Sequence, residues 1–324
     1  MATPSPPDFL ANELERLVRG GTGDDVPSYL DCISTDTTAA GTKTVIRWHR
    51  LTHDATLNQP NIEKLVGKLF RLLIDFACTR AEIEEARRRF DQDRSTEGFA
   101  ALQEKARRLF TKSAKTGEVG EMLLYFLAER LLRYPQVLCK MPHKTNPNVH
   151  AHGADGVHAS VHPSNGHLRL HWGEAKLYQS IDAALDDCFG SLAELLLNPA
   201  DAKKTKTRDI ELLRDFVDLE NPELEGAIRA YLDPDDRLSN KVEFCGLALV
   251  GFNLADYDGL CSEFAASKAA AIAARVSAWE GKLTAAVEKH KLVAVTVDAF
   301  CIPFQKVEAL RTEFLRVLGV TNAS

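Results

Sequence analysis

Asn165-Gly166 separates two stretches of alternating residues, and that punctuation constrains the chain more than any other feature. Asn-Gly favours the tight turn of an antiparallel hairpin, with Pro163-Ser164-Asn165-Gly166 as the connection. Asp155–His162 and Leu168–Lys176 are then its two strands. Strand side chains alternate faces, so Leu170, Trp172, Glu174 and Lys176 share one face. Arg169, His171, Gly173 and Ala175 share the other. The apolar members of the first set predict that its carboxylate and ammonium line a cleft or the interior. A desolvated charge there needs partners.

The surroundings read as an α/β unit. Gly117–Arg133 carries Met122, Leu123, Tyr125, Phe126, Leu127, Leu131 and Leu132, apolar around much of a helical girth, which predicts a buried helix ended by Pro135. Val137–Met141 is expected to be a first strand and Lys144–His152 a loop. Ser180–Leu197 is expected to be a helix, Val242–Phe252 a strand, Cys261–His290 one long alanine-rich helix, Leu292–Ala299 a strand and Phe304–Leu318 a closing helix. Upstream, the pattern predicts a short helix over Phe9–Val18, a break at Gly20–Asp25, a strand over Lys43–His49 and helices over about 60–90 and 95–112. The expected fold is α/β, a mixed sheet flanked by helices. A mainly helical N-terminal region (1–115) precedes the unit (116–324) that carries the hairpin.

Charge and cysteine usage narrow the function. The net charge of −6 argues against a broad non-specific nucleic-acid binder, although a local cationic strip can still hold phosphates. Seven cysteines at 32, 78, 139, 188, 245, 261 and 301 form no Cys-x-x-Cys pair, which fits reduced thiols in a cytoplasmic protein rather than a disulfide framework or zinc ribbon. The N-terminus has no signal-peptide pattern, and no apolar run approaches a membrane span.

Asp155 at the start of one strand and Glu174 with Lys176 near the end of the next supply two carboxylates and an ammonium. Glu118 and Glu121 open the buried helix on similar faces. Hard oxygen ligands select Mg²⁺ or Mn²⁺. Such a cation lowers the pKa of bound water and polarises a phosphoryl group. Asp155 and Glu174, with the Ala175 carbonyl, form the expected ligand set, and Lys176 stands beside water or phosphate as a compact charge. Of the helical pair, Glu121 is preferred because it directly precedes the apolar run. Gln179 is a candidate for positioning phosphate or water. Lys203, Lys204, Lys206 and Arg208 form the sharpest cationic run and are candidates for the DNA backbone. Lys140, Lys144, Arg107 and Arg108 are weaker ones. Residues 209–236, with ten acidic and two basic side chains, fit a basic partner surface better than DNA.

This order of helical glutamate, Asp strand and Glu-x-Lys strand resembles the PD-(D/E)xK nuclease superfamily over residues 117–250, with Glu121, Asp155, Glu174 and Lys176 at its motif positions. Ala154 replaces the usual proline. The longer pattern, Gly117-Glu118-Val119-Gly120-Glu121, His152-Gly153-Ala154-Asp155-Gly156 and Gly173-Glu174-Ala175-Lys176-Leu177-Tyr178, resembles the HamA family, nuclease subunits of the Hachiman anti-phage defence system. The resemblance implies a restriction-endonuclease-like fold, Mg²⁺- or Mn²⁺-dependent DNA cleavage, and restraint by a superfamily 2 helicase partner of the HamB type.

Two other readings stand beside it. One is a non-catalytic subunit that docks a helicase or senses DNA through the same fold. The other is a zinc enzyme, raised by seven of the ten histidines falling between 143 and 171: His143, His150, His152, His158, His162, His167 and His171. No His-Glu-x-x-His occurs. Strand alternation turns His158 and His162 away from Asp155 and His171 away from Glu174. They therefore read as polar positions on a half-exposed hairpin. His150 and His152 lie in the loop before Asp155, within reach of a phosphate.

Overall fold

The computed structural model describes residues 6–19, 23–54, 59–110, 117–138, 141, 155–197, 210–211, 213, 219 and 221–319. Helix α1 (Pro6–Leu17) precedes an edge hairpin, β1 (Leu30–Thr38) and β2 (Thr44–Leu51), and a small two-stranded ladder, β3 (His53–Asp54) and β4 (Gln59–Pro60). Four helices follow: α2 (Ile62–Arg71), α3 (Leu73–Ala77), α4 (Arg80–Asp93) and α5 (Glu97–Leu109). The start of α4 is set by a reciprocal capping box. The Thr79 hydroxyl accepts from the Glu82 N–H, and the Glu82 carboxylate accepts from the Thr79 N–H.

Helix α6 (Glu118–Leu127) widens into a π-turn over Ala128–Leu132 and leads to β5 (Gln136–Leu138), β6 (Gly156–Val161) and β7 (Leu168–Tyr178). Next come α7 (Ile181–Leu197), α8 (Pro222–Leu232), β8 (Val242–Asn253), α9 (Tyr257–Ala265), α10 (Ala269–Lys289), β9 (Val297–Phe304) and α11 (Val307–Leu318). Among the described residues the main sheet has seven strands in the order β1-β2-β9-β8-β7-β6-β5. β2, β9, β8 and β7 run parallel in the centre, and β1, β6 and β5 are antiparallel to their neighbours. The mixed α/β fold is the one the sequence predicts.

Both parts of the chain contribute to this sheet and to one core. Leu65, Leu69 and Phe76 from the N-terminal helices pack with Leu123 and Phe126 of α6, Leu249 of β8 and Phe314 of α11. The opposite face is covered by α7 and α10 through Leu185, Phe189 and Leu283. Gly251 of β8 permits close packing on the first face. A Cβ there would overlap Leu177 and meet the Phe304 ring at 3.0 Å, so Leu177 of β7 fills the space a side chain would take.

Several boundaries differ from the sequence reading. The helix expected over 60–90 is three helices. The long helix over Cys261–His290 is two, α9 and α10, separated at Ser267, which adopts a left-handed conformation (φ 52°). Arg275 of α10 holds the two together by pairing with Glu263 (2.7 Å) and Asp256 (2.5 Å). The last strand begins at Val297 rather than Leu292, because Leu292 and Val295 close a turn after α10. Phe304 ends that strand instead of opening α11. Pro303 lies past Trp48↔Cys301, the last pairing of β9 with β2, where a missing N–H is tolerated. β1 was not anticipated.

Candidate active site

β7 divides its side chains between two helices. A Cβ on Gly120 of α6 would meet Ala175 and Leu177 at 3.3 and 3.2 Å, and one on Gly173 would meet Leu124 of α6 at 3.2 Å. Gly173, Ala175 and Leu177 therefore face α6. Glu174 and Lys176 alternate to the other face, beneath α7. The Cys188 thiol donates to the Glu174 carbonyl (3.4 Å). Glu174 is 5% exposed, so the inward orientation expected from the apolar neighbours is realised.

Asp155 reaches the same place from the end of β6. Gly156 pairs with Gly173, and one residue earlier the Asp155 N–H donates to the Gly173 carbonyl (2.8 Å). The Asp155 carboxylate then accepts the Ala175 N–H (2.7 Å), replacing the next backbone acceptor of the ladder. Among the described residues β6 begins at Gly156, directly after Asp155. In an extended strand the N–H and C=O of one residue point the same way.

The two carboxylates and one ammonium interact strongly. Burial first, and the Asp155 charge second, push the Glu174 carboxyl up to about 7, against the opposing pull of Lys176 and Ser191. Lys176 Nζ lies 2.5 Å from Glu174 Oε1. Burial works to lower the Lys176 pKa, but the Glu174 and Asp155 carboxylates raise it above its ordinary value. Beyond Lys176, burial first and the Asp187 carboxylate of α7 second raise the Tyr178 pKa.

The sign of the resulting pH dependence follows from linkage. The Glu174 pKa in the folded protein lies above its ordinary 4.5, so the folded state binds the proton more tightly. Its unfavourable contribution grows as pH rises from about 4.5 to about 7 and levels off above, while Lys176 stays charged throughout. Glu174→Gln is therefore expected to gain stability relative to the native chain between pH 5 and pH 8, by up to about 3 kcal/mol. Urea denaturation of both proteins across that range measures it, and a constant difference would contradict the buried ionisation.

Asp155, Glu174 and the Ala175 carbonyl fit a hard divalent cation in donor chemistry, and the excess of carboxylate over ammonium charge favours one. Among the described residues, however, no group of three or more His, Cys, Asp or Glu side chains is arranged to hold a metal. Glu118 is fully buried and Glu121 half-buried, so the glutamate nearer the interior is Glu118. The first turn of α6 lies level with Ala175 and Leu177, past the end of β6.

The remaining candidates separate clearly. Gln179 is exposed, and its carbonyl accepts the Asn253 N–H (3.2 Å). Arg107 donates through Nε to the Leu318 carbonyl (3.1 Å) and closes the end of α11, while Arg108 pairs with Glu104. Lys203, Lys204, Lys206, Arg208, Lys140, Lys144, His143, His150 and His152 lie outside the described residues.

The half-exposed setting expected for the hairpin histidines holds for His162 and His167, not for His158 and His171, which are 2% and 0% exposed. Residues after α6 cover them. The Tyr134 ring stacks on His171 at 4.2 Å, and His158 Nδ1 donates to the Tyr134 carbonyl (2.9 Å). Burial pushes their pKa values down to about 4 for His158 and about 3 for His171. Both are thus neutral core histidines on the α6 side of the sheet, away from Glu174. Sequence reading missed Asp187 and Cys188 of α7 beside the charged strand. The available signal was the helical spacing of α7, with 185 and 188 on one side of the helix.

Comparison with known proteins adds one result. A family model described as HamA matches residues 27–318, which includes both halves of the chain and every described residue of the site. No curated protein matches.

Proposed function

Because the chain belongs to the HamA family, we propose that it is a metal-dependent deoxyribonuclease effector of Hachiman anti-phage defence, held in check by a superfamily 2 helicase partner. Family membership points to a component of that defence system. The nuclease assignment draws its main support from one observation, the convergence of Asp155, Glu174 and Lys176 at the point where β6 gives way.

On this reading Asp155 and Glu174, with the Ala175 carbonyl, hold Mg²⁺ or Mn²⁺. When bound, the ion supplies Lewis-acid polarisation of the phosphoryl group and a more acidic water. Lys176 donates to a phosphate oxygen or orients the attacking water, exchanging part of its contact with Glu174 for the substrate. The Ala175 N–H keeps the Asp155 carboxylate aimed at the strand edge. A glutamate of α6, Glu118 or Glu121, completes the set directly or through water.

The test is plasmid cleavage with Mg²⁺ or Mn²⁺ by the native chain and by Glu174→Ala, alone and with the helicase partner, together with phage plaque counts. Cleavage by the native protein and loss of both cleavage and protection in Glu174→Ala are expected. Full protection by Glu174→Ala would instead favour a docking or DNA-sensing subunit. No helix among the described residues is long and apolar enough to cross a membrane.

A further inference from the structure

We infer that Arg311 of α11 binds a backbone phosphate of the DNA beside the reacting one, at the edge of β7 that also receives Asp155; this rests on the nuclease reading above. Alternate residues of a strand present their main-chain groups to the same edge. On the β6-facing edge of β7, the Gly173 carbonyl accepts the Asp155 N–H (2.8 Å) and the Ala175 N–H donates to the Asp155 carboxylate (2.7 Å). Next along that edge, the Leu177 carbonyl accepts from Arg311 Nη2 (2.5 Å). Arg311 therefore stands two residues beyond Ala175, whose carbonyl belongs to the expected ligand set, a separation of about 6–7 Å. Its position is set by packed elements. Leu310 and Phe314 of α11 lie in the core shared with α6, and the Val307 N–H ties the start of α11 to Asn253 Oδ1 at the end of β8 (2.7 Å).

The charge on Arg311 is incompletely matched. Its side chain is 20% exposed, and Nη1 pairs with Glu308 on the same helix (3.2 Å), a carboxylate that faces solvent. An ion pair of that kind is screened and gives way readily. Arg311 Nε is buried and has no hydrogen-bond partner among the described residues. A partly desolvated cation in this setting is stabilised by an added anion. Guanidinium carries five donors in a planar fork, so one holds the Leu177 carbonyl while others meet phosphate oxygens. Lys176, one residue before Leu177, is a point charge engaged with Glu174 (2.5 Å). Arg311 supplies the second cation on the same stretch of β7, with the geometry to orient a phosphate.

The test is fluorescence anisotropy of a labelled duplex with the full chain, in Ca²⁺ over a salt series, followed by cleavage kinetics in Mg²⁺. Arg311→Gln is expected to weaken binding about tenfold and to lower the salt slope by about one phosphate contact. It is also expected to raise KM with kcat little changed. Arg311→Lys, which keeps the charge, is expected to retain the native slope. Glu308→Gln frees the guanidinium and is expected to tighten binding about two- to fivefold; this exposed substitution decides the question if Arg311→Gln does not fold. A folded Arg311→Gln with the native slope, even one that melts earlier, reduces Arg311 to a cap on the Leu177 carbonyl and overturns its assignment alone. Native affinity in Glu308→Gln does the same. A native chain that neither binds nor cleaves the duplex overturns the nuclease reading, and this inference with it.

Discussion

Lys176→Met is expected to abolish DNA cleavage while leaving the protein folded. Its ammonium is the one cation described next to both site carboxylates, 2.5 Å from Glu174 and close enough to Asp155 for each to raise its pKa. Met keeps the apolar stem of a side chain that is only 25% exposed, so packing around β7 is largely preserved. The charge is lost where negative charge develops on the phosphate. Removing a single preorganised donor of that kind lowers turnover on the order of 10²–10³-fold. Single-turnover cleavage of a labelled duplex measures it. Mn²⁺ binding should survive at alkaline pH, where Glu174 stays ionised without its ammonium. Cleavage within tenfold of native in Lys176→Met would remove Lys176 from the reaction.

Trp172→Ala is expected to cause the largest loss of stability. Trp172 is fully buried two residues before Glu174 on the same face of β7. Its ring meets Phe244 edge-on, with centroids 5.3 Å apart. It packs in a cluster with Leu10 and Leu14 of α1, Leu195 of α7, and Leu224 and Ile228 of α8. Truncating a buried aromatic removes transfer free energy and leaves a cavity, together about 3–5 kcal/mol. Denaturant unfolding at fixed pH measures this. A loss below about 1 kcal/mol would mean that the cluster collapses around the vacancy. The cluster joins α1 and α8 to the strand that carries the site, so cleavage should fall along with stability.

The limits of the sequence reading follow from what stabilises each element. β7 was legible because its residues alternate in chemistry and a tight turn precedes it. β1 was not. It carries Asp31, Ser34, Thr35, Asp36, Thr37 and Thr38, and as an edge strand it is held by backbone pairing to β2 rather than by an apolar face. The break between α9 and α10 lies in an alanine-rich run with good helix propensity throughout. Arg275 pairing with Glu263 and Asp256 across the break is a contact no local pattern specifies. His158 and His171 are polar by type, yet Tyr134, arriving from the end of α6, covers them.

By itself the sequence determined which side chains share a face of β7, since strand alternation is a property of the backbone and needs no partner. It therefore placed Glu174 and Lys176 together, with Asp155 opposite the hairpin turn. Tertiary structure alone decided which helix covers each face. It put α7 over the charged pair and α6 over the reverse side. It also turned Asp155 into the hydrogen-bond acceptor of Ala175. Those outcomes depend on packing between segments far apart in the chain, where shape and burial, rather than local periodicity, select the arrangement.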